Sequence, residues 1–172
     1  GEKDEPDTGI LKLFEIDGNG NSLQERVIWK PIYDGINLED PRALELKSEN
    51  LIIGLTAVLR DKHGKPLPFP AIVKIDSHST WEQELPPFLV VGTFGPGKNL
   101  TPIDSHTFLF RPESIDYHHK ILVFTIHRQV PEKLDDIEFP TNLPWACWKM
   151  GTAMPPIWIT PNEALFIIHG IT

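Results

Sequence analysis

Arg128, Lys149 and His169 have side chains of the types that can hold an anion. Arginine offers a planar fork to oxyanions, and lysine supplies a point charge. Lys149 and His169 stand near the two ends of "WKMGTAMPPIWITPNEALFIIHG", with a double proline and a predicted hairpin between them. Each residue also has an ordinary structural interpretation: Arg128 ends an apolar strand, Lys149 can cover tryptophan with its alkyl stem, and His169 can be a hydrogen-bonded structural histidine. Their chemistry therefore depends on whether the fold brings them together.

Other chemical motifs are weak in this sequence. The adjacent histidines of "DYHHK" point in different directions on a strand, and no further ligand follows at a zinc-like spacing. "GPGK" lacks the spacing and the Ser or Thr of a phosphate-binding P-loop. No G-x-S-x-G motif occurs, and Cys147 has no evident base beside it. We therefore expect no metal and no organic cofactor, and no serine or cysteine nucleophile.

Charge and composition restrict the possible partners. The 172 residues contain 16 Lys and Arg against 24 Asp and Glu, a net charge of −8 with no basic run, so nucleic acid is not an expected partner. The lone cysteine excludes an internal disulfide and suits a reducing compartment, so we predict a cytoplasmic protein. No apolar run approaches the roughly 20 residues that span a bilayer, and residues 1–9 read as a flexible acidic tail.

The elements that would position these side chains are short strands. Seventeen prolines and 12 glycines are spread along the chain and leave little room for long helices. Apolar runs bounded by turn-forming residues predict an all-β domain over residues 10–172. The predicted strands are Leu11–Ile16, Ala43–Lys47, Leu51–Val58, Ala71–Asp76, Phe88–Gly92, Ile121–His127, Ile157–Thr160 and Ala164–His169.

Three segments suggest a degenerate internal repeat. Each begins at a proline (Pro41, Pro112 or Pro156), passes through a polar turn and enters an apolar strand nine or ten residues later. The proline spacings are 112 − 41 = 71 and 156 − 112 = 44 residues, and the shorter one falls in the range of about 40–50 residues of propeller blades. This pattern predicts a partial β-propeller of about three blades, with a β-sandwich of similar-looking hairpins as the alternative.

The motifs of these repeats resemble those of the five-bladed β-propeller β-mannoside phosphorylases and hydrolases, glycoside hydrolase family 130. The chain has "EDPR" at 39–42, "HR" at 127–128, "WACWKMG" from Trp145, "PPI" from Pro155 and "HG" at 169–170. Their order and approximate spacing agree with the family pattern over roughly residues 10–172. The resemblance implies cleavage of β-mannosides or related oligosaccharides by phosphorolysis or hydrolysis, with inorganic phosphate as a possible co-substrate.

The resemblance also implies roles for single residues. Arg128, Lys149 and His169 match phosphate-binding positions of the family. Asp40 and Arg42 match positions that contact the sugar or support the site. Asp61 matches the catalytic acid if two residues are inserted after Val58.

Two departures leave alternatives open. The family segment K-[ND]-A-x-L-F-P-E corresponds to "SHTFLFRPE", so His106 and Thr107 replace a lysine and an asparagine or aspartate, unless Lys98 and Asn99 supply them in a shifted register. A catalytically inactive, sugar-binding or structural relative is therefore a second interpretation. The chain also covers only about three of five blades, and unpaired blade edges predict a possible homo-oligomer.

Overall fold

The computed structural model of the protein describes residues 10–29, 36–47, 50–75, 88–145 and 148–171. The predicted tail, residues 1–9, and Cys147 lie outside these ranges. The described part contains one short 3-10 helix, Ile115–Tyr117, and none of its helices is long and apolar enough to cross a membrane. Its strands are β1 (Leu11–Ile16), β2 (Ser22–Trp29), β3 (Asn37–Glu45), β4 (Leu51–Arg60), β5 (Pro66–Ile75), β6 (Phe88–Val90), β7 (Gly97–Pro102), β8 (Thr107–Pro112), β9 (Lys120–His127), β10 (Val130–Glu138), β11 (Lys149–Thr152), β12 (Ile157–Thr160), β13 (Glu163–Leu165) and β14 (Ile168–Ile171).

The strands form antiparallel sheets, which confirms the all-β prediction. Two sheets have four strands each, in the orders β3-β4-β5-β6 and β10-β9-β8-β7. Three further pairs are β1-β2, β11-β14 and β12-β13. In both four-stranded sheets the spatial order follows the order along the chain, so each sheet is a meander of successive hairpins that needs no crossover.

Strand β4 lies between two layers of the core. Its sequence "LIIGLTAVLR" is apolar without alternation, because both of its faces are covered. Ile53, Leu55 and Ala57 belong to one buried cluster, against which Leu11 and Leu13 of β1 pack. Ile52, on the opposite face of β4, belongs to a second cluster that contains Leu100, Phe108 and Phe124 of the next sheet.

Phe124 is the centre of the second cluster. Its ring is fully buried and lies 5.1 Å from the Phe94 ring centroid, 5.4 Å from that of Phe108 and 6.5 Å from that of Phe110. The Phe94 ring is tilted to it, the Phe108 ring is stacked and the Phe110 ring is edge-on, and stacked and edge-on arrangements at such distances are favourable for aromatic pairs. Ile52 and Ile72 of the first sheet belong to the same cluster as these rings, so the two four-stranded sheets pack face to face and their first strands come close to each other.

Two hairpins share one turn motif. In the β1–β2 turn, the Asp17 Oδ1 accepts the backbone N–H groups of Asn19 and Asn21 at 2.8 and 2.9 Å. In the β4–β5 turn, the Asp61 Oδ1 accepts those of His63 and Lys65 at the same two distances. A glycine in the left-handed conformation follows three residues after each aspartate, with φ of 85° and 80°. The motif Asp-x-x-Gly-x therefore sets both turns.

Some predicted strands agree with the structure and others do not. Leu11–Ile16 and Ile157–Thr160 are confirmed at both ends. The single strand predicted over Ala164–His169 is wrong: it is two strands, because β13 pairs with β12 whereas β14 pairs with β11. Five strands have no counterpart in the prediction: β2, β7, β8, β10 and β11. For β10 the reason is its polar sequence "VPEKLDDIE", which suits the exposed outer edge of a sheet.

The three prolines of the predicted repeat do not occupy equivalent positions. Pro41 lies within β3, the first strand of its sheet, whereas Pro112 ends β8, the second strand of the next sheet. Pro156 precedes β12 and lies outside any strand. The repeat that the structure shows is instead between the two meanders, whose first strands begin at Asn37 and Gly97, 97 − 37 = 60 residues apart.

Candidate functional site

Matching bulges in β3 and β7 mark the place where polar side chains gather. The register of β3 against β4 shifts between Glu39 and Arg42, and that of β7 against β8 shifts between Lys98 and Thr101. Within the bulges Asp40 and Asn99 have φ of 53° and 61°, a left-handed conformation that Asp and Asn tolerate better than most residues. The Nζ of Lys98 lies 3.5 Å from the Glu39 Oε2, so the two bulges face each other.

The guanidinium of Arg42 joins three strands at this place. Its Nε donates to the backbone oxygen of Thr152 at 3.1 Å, and its second terminal nitrogen donates to the Asn99 Oδ1 at 2.8 Å. A third bond, from the first terminal nitrogen, reaches the backbone oxygen of Asp40 at 2.9 Å. All three acceptors are neutral, so these bonds orient the guanidinium without cancelling its charge.

Asn99 connects Arg42 to His169. The Nδ2 of Asn99 lies 3.2 Å from the Nε2 of His169, which is placed directly opposite Gly151 in the β11–β14 pair. A Cβ at position 151 would collide with the Asn99 side-chain amide, so only glycine lets β11 approach β7 this closely. Behind this contact, the hydroxyls of Thr101 and Thr152 share a buried hydrogen bond of 2.6 Å.

A second group of charges lies beside the first. Arg111, only 5% exposed, donates from a terminal nitrogen to the Glu113 Oε1 at 3.3 Å. The Nζ of Lys149 donates to the other oxygen of Glu113 at 2.5 Å, with the lysine side chain 20% exposed. Lys149 is thus fixed by an ion pair with Glu113. We call Asp40, Arg42, Asn99, Arg111, Glu113, Lys149 and His169 the polar cluster.

Burial and charge shift two acid–base equilibria in the polar cluster. Burial lowers the pKa of His169 below 6.5, and the positive charges of Arg111 and Arg42 lower it further, against a smaller opposing effect of Asp40. His169 is therefore a neutral imidazole at pH 7. Burial alone would raise the pKa of Glu113, but the hydrogen bond and charge of Lys149, together with Arg111, outweigh it and lower that pKa. Glu113 is therefore an ionised carboxylate.

The arrangement suits a ligand that is rich in oxygen atoms. Three cations face at most two carboxylates, so the polar cluster keeps a net positive charge while His169 is neutral. Arg42 has five N–H groups, and the three bonds above use one from each nitrogen, so two remain for a ligand. The Nε2 of neutral His169 accepts from the Asn99 Nδ2, so its Nδ1–H remains to donate to a hydroxyl or oxyanion oxygen. Such a set can hold a polyol, an oxyanion, or both.

Four predicted site residues are brought together and two are not. Asp40, Arg42, Lys149 and His169 all lie in the polar cluster. Asp61 does not: Arg42 pairs with Gly54 on β4, and Asp61 lies seven residues beyond Gly54, about 20 Å away along an extended strand. There its carboxylate is occupied by the turn that joins β4 to β5.

Arg128 lies at the other end of the second sheet. Phe110, which precedes Arg111, pairs with Leu122 on β9, and Arg128 follows six residues later, again about 20 Å along the strand. It is exposed in the turn between β9 and β10 with φ of 51°. The expectation that Arg128 shares one site with Lys149 and His169 is therefore not met, because β9 runs away from the polar cluster.

Of the two residue pairs considered for this part of the chain, only Lys98 and Asn99 lie at this place. Lys98 and Asn99 lie at the bulge of β7, whereas His106 and Thr107 lie at the opposite end of that hairpin. Arg111 and Glu113 were not among the predicted site residues. The signal for them was the charged pair in "FLFRPE", directly after a buried apolar run.

The same part of the chain offers no evident metal centre. Across the described ranges, no three His, Cys, Asp or Glu side chains gather in a way that could hold a metal ion. Comparison of the chain with protein-family models, with curated proteins and with solved structures finds no match in any of the three.

Proposed function

We propose that the protein is a carbohydrate-active enzyme, or the substrate-binding part of one, that cleaves β-mannosides or related oligosaccharides with the polar cluster as its site. The observation that carries the proposal is the meeting of Arg42 and His169 through Asn99. Asn99 is 57 residues from Arg42 and 70 from His169 in sequence, yet its amide contacts both side chains. The "EDPR", "KMG" and "HG" motifs, which carry the family resemblance, all contribute to this one cluster.

The sheet order supports a propeller architecture for this enzyme. A propeller blade is a four-stranded antiparallel meander, and the innermost strands of successive blades carry polar residues to a shared centre. The β3-β4-β5-β6 and β7-β8-β9-β10 meanders follow this order, and their first strands carry the bulges of the polar cluster. We propose that they are two successive blades and that the β11–β14 pair belongs to a third.

Phosphorolysis is the reaction that the charges favour. An oxygen of inorganic phosphate would attack the anomeric carbon, the glycosidic carbon–oxygen bond would break, and the leaving oxygen would take a proton. Arg42, Lys149 and neutral His169 would hold the phosphate and adjacent hydroxyls through charge-assisted and ordinary hydrogen bonds. Glu113 is held ionised by Lys149, so the proton would come from the second carboxyl group of the cluster, Asp40, directly or through a sugar hydroxyl.

The test is product analysis with a matched pair of lysine variants. The protein would be incubated with β-linked mannobiose, with and without phosphate, and mannose 1-phosphate and free mannose would be measured. Lys149→Ala should remove most turnover, whereas Lys133→Ala, which deletes an exposed ion pair of 2.7 Å with Asp136, should not. Equal turnover in the two variants, or none in the folded wild type with several β-linked oligosaccharides, would overturn the enzyme proposal.

A second candidate is a sugar-binding protein without turnover. It is favoured by the placement of Asp61 in a turn, because the residue matched to the family's catalytic acid is then absent from the polar cluster and Asp40 would have to replace it. Calorimetric titration with mannobiose distinguishes the two candidates. Binding that is lost in Arg42→Ala, without any product over long incubation, would support the second; product formation would exclude it.

A further inference from the structure

A second concave surface lies apart from the polar cluster, at the far end of the second sheet and across β4 from Arg42 in the first, where Arg42 and Ile72 pair with opposite sides of Gly54. It is a cleft of about 490 Å³ where β5 and β6 meet the ends of β8 and β9. Its floor is apolar and is formed by Ile72, Leu89, Phe108 and Ile126. A volume of this size lies within the range of about 300–1,000 Å³ of small-molecule sites, which usually combine an apolar lining with a few polar groups.

The rim of this cleft is basic. Lys74, His106 and Arg128 line it, and among the described residues that line it none is a carboxylate. Lys74 uses one of its three donors on the backbone oxygen of Ser105 at 3.3 Å. The Oδ1 of the nearby Asp104 accepts the backbone N–H groups of His106 and Thr107 at 2.7 and 2.8 Å, so this carboxylate oxygen stabilises the turn between β7 and β8.

The imidazole of His106 is held in place at this rim. Its Nδ1 lies 2.7 Å from the hydroxyl of Ser105, and its ring stacks on that of His127 with centroids 6.0 Å apart. These contacts fix the plane of the ring and leave its Nε2 edge as the position from which it can meet a ligand. A positioned imidazole beside a lysine and an arginine is typical of oxyanion recognition.

The backbone at Arg128 is strained. Arg128 and Gln129 form the two-residue turn between paired His127 and Val130, with φ of 51° and 67°. A turn with both φ values positive strongly prefers Asn-Gly or Asp-Gly, because other side chains cost about 1 kcal/mol or more in this conformation. The chain nevertheless has arginine here, and its side chain lines the cleft. Strain of this kind tends to persist where a side chain has a function.

We propose that this cleft binds a small organic anion that carries a carboxylate or phosphate group on an apolar body. The oxyanion lies against Arg128, Lys74 and His106, and the apolar body covers the floor between the sheets. This site is separate from the polar cluster and does not depend on the proposed carbohydrate chemistry.

The test uses phenyl phosphate as the probe, with calorimetric titration of the full chain. Phenyl phosphate should bind more tightly than benzyl alcohol, which lacks the charge, and than inorganic phosphate, which lacks the apolar body. Arg128→Asn should weaken binding about tenfold, the value of one charge-assisted hydrogen bond of about 1.4 kcal/mol. Because asparagine suits a positive φ, this variant should melt at the wild-type temperature or above it.

Gln129→Asn is the matched control, since it relieves the same turn without removing a charge. Its affinity for phenyl phosphate should stay within about twofold of the wild type, as a neutral rim group contributes little. Lys74→Gln, on strand β5, gives a second variant that should weaken binding. Arg60→Gln should leave binding unchanged, because Arg60 donates one exposed bond to the Gly64 backbone in the β4–β5 turn, away from the cleft. Equal affinity in Arg128→Asn, Lys74→Gln and wild type, or an equal loss in Arg60→Gln, would overturn the proposal.

Discussion

Replacing Arg42 by alanine should destabilise the fold as well as the polar cluster. Of its three hydrogen bonds, the two to Thr152 and Asn99 are partly buried and the one to the Asp40 backbone is exposed. Hydrogen bonds from a charged donor contribute about 1.5–3 kcal/mol each, and water partly replaces those at the surface. Counting only the two partly buried bonds, and allowing for water entry, we expect the free energy of unfolding to fall by about 2–4 kcal/mol.

Urea unfolding of three variants would measure this effect. Arg60→Ala is the control, because Arg60 donates one exposed bond to the Gly64 backbone, and its loss should change the free energy of unfolding by no more than about 0.5 kcal/mol. Arg42→Lys should fall between, since an ammonium cannot reproduce the fork that reaches Thr152 and Asn99 together. The slope of free energy against urea should stay constant across the series.

One result would refute this reasoning. If Arg42→Ala unfolded within about 0.5 kcal/mol of the wild type, the guanidinium would not hold β3, β7 and β11 together, since a change of this size is typical of an exposed site. The apolar core and the Thr101–Thr152 hydrogen bond would then be the interactions that hold these three strands together.

Three further predictions concern other parts of the molecule. The pKa of His169 is lowered below 6.5 on folding, so the unfolded chain binds a proton at this residue more readily than the folded chain does. The free energy of unfolding should therefore fall as the pH drops below about 6.5, and it should level off below the pKa of the folded state. His169→Gln should flatten this part of the pH profile, which urea unfolding at several pH values would measure. Asp61→Asn keeps an Oδ1 acceptor and should unfold within about 0.5 kcal/mol of the wild type, whereas Asp61→Ala should lose about 1–2 kcal/mol; complete loss of turnover in a stable Asp61→Asn would instead indicate a catalytic carboxyl. Trp158 and Ile159 are 50% and 60% exposed on the β12–β13 hairpin, so light scattering should give a mass above that of the monomer and Ile159→Ser should lower it; a monomeric wild type would contradict this.

The sequence predicted the strand content better than the strand pairing. Short apolar runs between prolines and glycines are a local signal, which explains why β1 and β12 agree at both ends with the structure. Pairing is set by residues far apart along the chain. "ALFIIHG" is one apolar run, yet its first half pairs with β12 and its second half with β11. No local pattern in that run marks the break at residues 166–167.

The candidate site could be predicted in part for a similar reason. Arg42, Lys149 and His169 are recognisable because each lies in a short motif with neighbours of particular types. Arg111 and Glu113 join the polar cluster because β8 runs back toward the β7 bulge, and that direction follows from the loop at residues 103–106. Strand β9 is antiparallel to β8 and runs away from the polar cluster, so Arg128 lies at its far end. Sequence motifs alone do not show this change of direction, and they therefore group Arg128 with Lys149 and His169.

Strand β7 lies between two positions that have no side chain. On one side, a Cβ at Gly54 of β4 would collide with the backbone oxygen of Leu100, and on the other a Cβ at Gly151 of β11 would collide with the Asn99 amide. Gly54 and Gly151 thus set how closely their two sheets approach β7 around Asn99. Any substitution at position 54 or 151 would displace Asn99 without removing a ligand-binding group. If the polar cluster binds the proposed sugar, its selectivity can therefore be altered at two glycines that contact no ligand, and an evolutionary search for altered specificity should include both.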